Sequence, residues 1–232
     1  MNGRNQVRFS DGSLVKHSEE CTYLGGILTK KVNIAAEISS RIASAMATWR
    51  SLDMFWKEAC CSLRNKLLIY NAVIRTKLLY GLETLELPIS QISRLEAFQL
   101  KGLRKILKMV TTFVDRNNTN DEVFRRANQQ VAPSSPEKTI CSIQTILQDR
   151  RISLVGHILR QNNDHPIRTV TFKRDSAAPM EVLHRRVGRP RKQWIFESLN
   201  IIWFRIRTDY SDFVASPTQL ESIYAAALQQ QI

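Results

Sequence analysis

The stretch Ile34-Ala-Ala-Glu-Ile-Ser-Ser-Arg-Ile-Ala-Ser-Ala-Met-Ala-Thr-Trp-Arg-Ser-Leu52 carries an apolar residue at every third or fourth position. This spacing matches an α-helix of about 3.6 residues per turn, and it continues beyond Leu52 to Trp56. The apolar positions are Ile34, Ile38, Ile42, Ala45, Trp49, Leu52 and Trp56. A helix with such a stripe buries it against other elements, so the sequence predicts one long packed helix over 34–57.

Other helical patterns lie downstream of this stretch. Ser62 can cap a second helix whose apolar stripe ends near Gly81, and a third helix is predicted from Ser90 to Val110. The segment Ser134-Ser-Pro-Glu137 combines a hydroxyl cap, a proline and an acid, as at the start of a helix. A fourth helix is therefore predicted from this segment, with Ile140 as its first apolar position.

Three segments favour extended structure. Val7-Arg-Phe-Ser-Asp-Gly-Ser-Leu-Val-Lys16 alternates apolar and polar side chains around Asp11-Gly12, which predicts a β-hairpin with a two-residue turn. Thr22 to Leu28 is a second short extended segment, and Thr169-Val-Thr-Phe172 is a third. The predicted fold class is mainly α, with an N-terminal β-hairpin followed by a helical bundle and further C-terminal helices.

With 232 residues, 43% hydrophobic and 24% charged, the chain has the composition of a folded protein. No apolar run approaches the roughly 20 residues that cross a bilayer, and the start lacks the apolar stretch of a secretory signal. We therefore expect a soluble intracellular protein, in the nucleus and cytoplasm, without membrane contact. The four cysteines are Cys21, Cys60, Cys61 and Cys141, and they lack the paired spacing typical of a zinc site. We therefore expect no bound metal.

The chain is strongly basic, with a net charge of +13. The excess of Lys and Arg lies in 34–115 and, above all, in 116–207. Such a field favours polyanions, and phosphate neutralisation by Lys and Arg is the usual source of sequence-independent affinity for nucleic acids. The alternative is a solvated basic surface that only keeps the protein soluble.

The sequence offers little for catalysis. A nucleotidyl transferase that uses two Mg²⁺ ions needs carboxylates a few ångströms apart, whereas Glu19-Glu20 and Asp121-Glu122 are the only adjacent acids. The second pair is typical of a helix N-terminus, and the first is expected in a hairpin arm. No nucleophile motif or phosphate-binding glycine loop occurs. We expect no catalytic residue, no cofactor and no enzyme activity from this chain on its own.

The predicted helix from Ser90 to Val110 has two contrasting sides. Its apolar stripe consists of Ile92, Leu95, Leu103, Ile106 and Val110. Its cations gather on the opposite side: Arg94, Lys101, Arg104, Lys105 and Lys108. Such a helix can pack through one side and follow a phosphate backbone with the other. The alternative is a merely solvated face.

A second basic cluster lies where the last patterned helix is predicted to open, at Gly188-Arg-Pro190. Its cations are Arg185, Arg186, Arg189, Arg191 and Lys192. Cations at a helix N-terminus oppose the helix dipole, so their presence indicates an anionic ligand. Three interpretations stay open: phosphate contact, a minor-groove element because Gly-Arg-Pro resembles the centre of an AT-hook, and a nuclear localisation signal.

Six segments of the chain follow one another in the order found in one enzyme family. The first two are Cys21-Thr-Tyr-Leu-Gly-Gly-Ile-Leu-Thr29 and Lys77-Leu-Leu-Tyr-Gly-Leu-Glu-Thr84. The other four are Phe98 to Leu107, Asn117 to Val123, Arg151 to Arg160 and Gly188 to Trp194. Together they resemble the end of the palm, the thumb and the downstream region of reverse transcriptases from LINE-type (non-LTR) retrotransposons.

The resemblance implies roles for these segments. Tyr23, Leu24, Gly25 and Gly26 would belong to a primer-grip-like strand pair, and the helices over 34–110 would form a thumb that holds the template–primer duplex. The metal-binding aspartates of the family lie in a Phe-Ala-Asp-Asp-like turn, which this sequence does not contain. The chain is then expected to be a fragment of an RNA-directed DNA polymerase whose Mg²⁺ ions belong to the rest of the parent enzyme.

The expected organisation has three parts. These are a palm-end β-hairpin over 1–33, a thumb-like helical bundle over 34–115 and a basic helical C-terminal region over 116–232, with the joint near Asp115 to Thr119. The expected partners are an RNA template, a DNA primer or target DNA, and the missing fingers and palm. Two alternatives stay open: a domesticated helical nucleic-acid-binding protein with an AT-hook-like cluster, and a structural interaction domain.

Overall fold

The computed structural model describes residues 8–14, 19–23, 26–29, 33–58, 60–131, 139–180 and 194–206. They form a mainly helical fold with a small antiparallel sheet near the N-terminus, as the sequence predicts. The strands are β1 (Glu20–Tyr23) and β2 (Gly26–Thr29). The α-helices are α1 (Ile34–Ser51), α2 (Asp53–Glu58), α3 (Leu63–Ile69), α4 (Thr76–Leu79), α5 (Ile89–Leu107), α6 (Asn120–Val131), α7 (Ile143–Leu159), α8 (Pro166–Thr171) and α9 (Trp194–Ile206). A π-helix (Tyr70–Arg75) joins α3 to α4, and a 3₁₀ turn (Leu82–Thr84) follows α4.

Strands β1 and β2 pair with each other, so the extended segment predicted over Thr22 to Leu28 is itself the hairpin. Its register places Glu20 opposite Thr29. One carboxylate attaches this hairpin to α1: Glu37 accepts the backbone N–H of Ile27 at 2.9 Å, and its other oxygen accepts Nε of Arg41 at 2.7 Å. Both oxygens of the nearly buried carboxylate are thus satisfied, and the sheet is fixed to the first turn of α1.

The predicted turn at Asp11-Gly12 differs from the expectation. Arg8 pairs with Leu14 in an isolated antiparallel bridge, and the N–H of Gly12 donates to the carbonyl of Phe9 at 3.0 Å. Gly12 has φ 83°, whereas no positive φ occurs at Asp11. The loop therefore has three residues rather than the two predicted. The Asp11 carboxylate accepts the N–H of Ser13 at 2.8 Å, which favours this wider turn with a glycine at its left-handed position.

Helix α1 follows the predicted stripe, and Ile38, Ala45 and Trp49 are buried. The prediction of one unbroken helix over 34–57 is wrong, because α1 ends at Ser51 and α2 begins at Asp53. The break lets Trp56 turn back onto α1. The two indole rings stack with centroids 4.5 Å apart, and Nε1 of Trp56 donates to the carbonyl of Trp49 at 3.0 Å.

Helix α3 begins as predicted, with the Ser62 hydroxyl accepting the N–H of Asn65 at 3.3 Å. The π-helix that follows was not predicted. It widens the helix where the Tyr70 ring lies against Gly102 of α5, and a Cβ on that glycine would meet Cε2 of Tyr70 at 2.9 Å. The helical run ends before Gly81, as predicted, and this glycine supplies the turn with φ 71°.

Helix α5 begins beside the predicted Ser90 but ends at Leu107, not at Val110. The N–H of Met109 donates to the carbonyl of Arg104 at 2.9 Å, and the N–H of Lys108 to that of Lys105 at 3.4 Å. These two bonds form a Schellman motif, in which the first residue after the C-cap has a left-handed conformation. Lys108 takes this position with φ 55°, and Val110 is consequently exposed rather than part of the apolar stripe.

Helices α6 and α7 pack onto the bundle of α1 to α5. One continuous core contains buried residues from Ile38 to Leu147, including Val123, Ala127 and Val131 of α6. The predicted joint at 115–119 lies between α5 and α6, which both contribute to this core. The division into 34–115 and 116–232 stays a prediction.

The predicted helix start at Ser134 to Glu137 lies outside the described residues. Residues 139–142 are not helical, and α7 begins at Ile143 instead, after the cap residue Ser142. A distant side chain fixes this start, because Glu96 of α5 accepts the N–H of Ile143 at 2.6 Å. Burial raises the pKa of the Glu96 carboxyl above its ordinary value.

The second half of α7 forms a smaller core with Phe172 and α9; its buried members are Ile152, Val155, Ile158, Phe172 and Ile202. The prediction of an extended run over Thr169 to Phe172 is wrong for Thr169 to Thr171, because these residues form the end of helix α8. Pro166 at the first helical position favours this helix, and the Arg168 guanidinium donates to the carbonyl of Leu159 at 2.6 Å. The predicted helix opening at 188–190 lies outside the described residues, and α9 is described from Trp194 onward.

The contact between Gly102 and Tyr70 gives a first prediction. Alanine normally stabilises a helix interior relative to glycine by about 1 kcal/mol. We expect Gly102→Ala to lower the free energy of unfolding by about 1–3 kcal/mol instead, because the new methyl group overlaps the buried Tyr70 ring. Urea unfolding measures this, with Ser93→Ala on the exposed side of α5 as the control. A Gly102→Ala protein more stable than the parent would contradict the prediction.

Candidate nucleic-acid interface

Four of the five cations predicted on α5 are exposed: Arg94, Lys101, Lys105 and Lys108. The spacing of seven and four residues keeps Arg94, Lys101 and Lys105 on one side of the helix, and Lys108 follows directly after its last residue. The Arg94 guanidinium donates to Ser39 of α1 at 3.0 Å and to Gln91 at 2.8 Å. Arg94 therefore marks the edge at which α5 meets α1.

Arg104 has a different environment. Its guanidinium donates to the carbonyl of Asn118 at 3.2 Å and to the side chain of Asn120 at 2.9 Å. These bonds join α5 to the start of α6, and the side chain is only partly exposed. Contact with nucleic acid stays a prediction for Arg104, but the residue also has a structural task.

A groove lies between α5 and the α1–α2 corner, with a volume of about 260 Å³. We call it the basic groove. Its lining residues are Met46, Trp49, Arg50, Asp53, Phe98, Lys101, Gly102 and Lys105. We call its less exposed residues Met46, Trp49 and Phe98 the floor, and its exposed cations Arg50, Lys101 and Lys105 the edges. A floor of this kind suits the sugar and base surfaces of a nucleic acid, and the edges suit its phosphates.

The charges in the basic groove are only partly balanced. Nζ of Lys105 lies 5.5 Å from the ring centroid of Trp49 and 3.9 Å from Oδ1 of Asp53. The second oxygen of Asp53 pairs with Lys57 at 2.6 Å. The hydrogen bond from Lys57, followed by the charges of Lys57 and Lys105, lowers the pKa of the Asp53 carboxyl. In the part of the chain that the structure describes, no ion pair engages Arg50 or Lys101, so the groove keeps a positive excess.

A second groove of about 520 Å³ lies on the other side of α1, against the π-helix and α4. Its cations are already engaged. Arg41 pairs with Glu37 at 2.7 Å and lies 5.7 Å from the ring centroid of Tyr80, and Lys77 donates to the hydroxyl of Thr48 at 2.7 Å. Because these groups have partners within the protein, this groove is less suited to phosphate than the basic groove is.

Several predicted site residues lie outside the described part of the chain: Leu24, Gly25, Arg185, Arg186, Arg189, Arg191 and Lys192. Of the primer-grip-like set, Tyr23 and Gly26 are register partners at the end of β1 and the start of β2. The structure thus pairs these two residues across the hairpin, and their predicted role stays untested.

Among the described residues, no group of three or more His, Cys, Asp or Glu side chains could hold a metal ion. Within the same part of the chain, no helix combines the length and the apolar character needed to cross a membrane.

Sequence reasoning missed Arg50 and Asp53. Both lie at the end of α1 and the start of α2, where the pattern predicted one continuous helix. Their place in the groove depends on the break at Leu52 and on which side of α5 faces α1. Neither feature has a local sequence signal.

Comparisons with known proteins identify no family for this chain. No protein-family model, no curated protein and no solved structure matches the chain.

Lys108 gives the second prediction. A left-handed conformation costs a residue with a side chain about 1 kcal/mol relative to glycine, so a lysine at this cap lowers stability. Lys108→Gly should therefore raise the free energy of unfolding by about 1 kcal/mol, and a loss of affinity would show that the lysine charge also serves phosphate binding. The variant should also flatten the plot of log affinity against log salt by about 0.7–0.9.

Thermal unfolding and fluorescence anisotropy on an RNA–DNA hybrid measure the two effects. Lys108→Asn is the matched control, since it removes the same charge but keeps a side chain at the cap. We expect it to lose as much affinity as Lys108→Gly and to gain less stability. Affinity unchanged in both variants would show that Lys108 is only a cap residue.

Proposed function

We propose that this chain is the thumb-like part of a LINE-type reverse transcriptase and holds the template–primer duplex, with the backbone of one strand against the basic groove. The proposal combines the ordered segments of the sequence with one structural observation. That observation is a groove with an aromatic floor whose edge cations, Arg50 and Lys101, have no carboxylate partner in the described part of the chain. Its partners would be an RNA template, a DNA primer or target DNA, and the fingers and palm of the parent enzyme.

The geometry of α5 supports binding along a phosphate backbone. From Arg94 to Lys105 the helix rises by about 16 Å. Because each nucleic-acid strand carries one phosphate per about 3.4 Å of axis, this row can face several phosphates of one strand. Lys101, Lys105 and Lys108 present flexible point charges rather than the forked donors that read base edges. The interaction we propose is therefore independent of base sequence, as holding a growing duplex requires.

The proposal assigns no catalytic step to this chain. We expect the pure protein not to extend a DNA primer on an RNA template with Mg²⁺ or Mn²⁺, because the sequence lacks a turn with paired aspartates that could hold two metal ions. A primer-extension assay checks this, with an intact reverse transcriptase as the positive control. Extension by this chain would place catalytic carboxylates where neither the sequence pattern nor the resemblance puts them.

Neutralising the edges of the basic groove tests the proposed function. The variant carries Arg50→Gln, Lys101→Gln and Lys105→Gln, and leaves out Arg104 because of its bonds to Asn118 and Asn120. We expect weaker binding of an RNA–DNA hybrid at every base sequence. We also expect the salt slope to fall by about 2 to 3, since each lost phosphate contact removes about 0.7–0.9. Fluorescence anisotropy over a range of salt concentrations measures both quantities.

The matched control removes three charges that already have carboxylate partners: Arg125→Gln, Arg126→Gln and Arg174→Gln. It lowers the net charge equally, so a general effect of charge would appear in both variants. An unchanged slope in the groove variant would contradict the proposal. Binding that depends instead on Arg185 to Lys192 and prefers A/T-rich duplex would favour the domesticated AT-hook-like protein. No salt-dependent binding by the parent chain would leave the structural interaction domain.

A further inference from the structure

The loop that follows α5, residues 108–118, presents apolar side chains to solvent. Phe113 is 97% exposed, Val114 is 71% exposed and Val110 is 47% exposed. Isolated apolar residues on a surface are ordinary, but three of them occur here within one short loop, which we call the apolar loop patch. Such a patch is a candidate for contact with another molecule.

The loop is built around internal hydrogen bonds. The buried Asn118 donates from its amide to the carbonyl of Val110 at 3.2 Å, and it accepts the Arg104 guanidinium through its own carbonyl. At the tip, the N–H groups of Val114 and Asp115 both donate to the carbonyl of Thr111 at 3.0 Å. The turn therefore places the backbone of Phe113 at the tip of the loop, where its ring is open to a ligand.

The charges beside the loop indicate the chemistry of its partner. Lys108 at one end and Arg116 near the other are both exposed, and neither makes an ion pair within the described residues. Lys108 is also the residue that follows the end of α5, three positions after Lys105. Two cations flanking an exposed aromatic ring match a strand in which phosphates alternate with flat bases, since a base stacks on an aromatic side chain while its phosphates meet Lys and Arg.

We propose that Phe113 stacks on an unpaired base of a single-stranded overhang, next to the duplex whose backbone lies against the basic groove. The inference rests on the proposed function and adds a second subsite to it. Lys108 holds the phosphate at the junction with the duplex, and Arg116 holds the phosphate on the other side of the stacked base. The basic groove recognises the backbone of the duplex, and the loop recognises the point at which pairing ends.

The test uses the full chain and two probes, a blunt RNA–DNA hybrid and the same hybrid with a short overhang that contains a fluorescent adenine analogue. We expect Phe113→Ala to weaken binding of the overhang probe by about tenfold, the size that the loss of one base–aromatic stack produces. Its affinity for the blunt hybrid and its salt slope stay unchanged, because no phosphate contact is removed. Phe113→Trp, unlike Phe113→Ala, keeps the affinity for the overhang probe and the quenching of the adenine analogue. The control is Ile89→Ala, which removes another exposed apolar side chain at the opposite end of α5.

Several results would overturn the inference. Equal loss on both probes would assign Phe113 to the duplex or to the fold, and no loss on either would leave it without a nucleic-acid contact. Self-association or binding to anionic phospholipid vesicles that disappears in Phe113→Ala, with overhang binding intact, would assign the loop to a second copy of the chain or to a membrane surface. If the parent chain binds neither probe, the proposed function fails and this inference fails with it. If it binds the blunt hybrid with a normal salt slope but gains nothing from the overhang, only this inference fails.

Discussion

The arrangement of the bundle depends on one close contact, between the Tyr70 ring in the π-helix and Gly102 in α5. Tyr70 also meets Trp49 edge-on, with ring centroids 5.8 Å apart. Because Gly102 has no side chain, α5 can approach this aromatic cluster closely, and the residues around Gly102 are brought to the end of α1. The basic groove is a result of this approach. A larger residue at 102 would separate its two edges, even though glycine touches no ligand in the proposed function.

A carboxylate organises the cations of the basic groove. Asp53 binds Lys57 through one oxygen and Lys105 through the other, so two positive groups share one negative group. Without Asp53 these ammonium groups would repel each other, and Lys105 would lose one of the two contacts that hold it beside Trp49. Asp53 thus lowers the positive field of the groove and keeps two cations close to each other at the corner of α1 and α2.

Local features of the fold could be predicted from the sequence, and features that depend on distant residues could not. The stripe from Ile34 to Trp49 and the cap at Ser62 act within a few residues, so pattern and propensity were sufficient. The start of α7 depends on Glu96, which lies 47 positions away in the chain, and the end of α5 falls on a lysine where a glycine is usual. Of the candidate site, the row on α5 was predicted. The place of Arg50 in the basic groove was not predicted, since it depends on the packing of α1 against α5.

Helix α7 belongs to two cores. Its first half ends a large core that begins at Ile38, and its second half supports a small core with Phe172 and Ile202. The change occurs at Arg151, a nearly buried residue that pairs with Glu86 at 3.1 Å. The described residues therefore pack into two cores that share one helix. A shift of α7 would act on the packing of both cores at once, because close-packed interiors transmit strain.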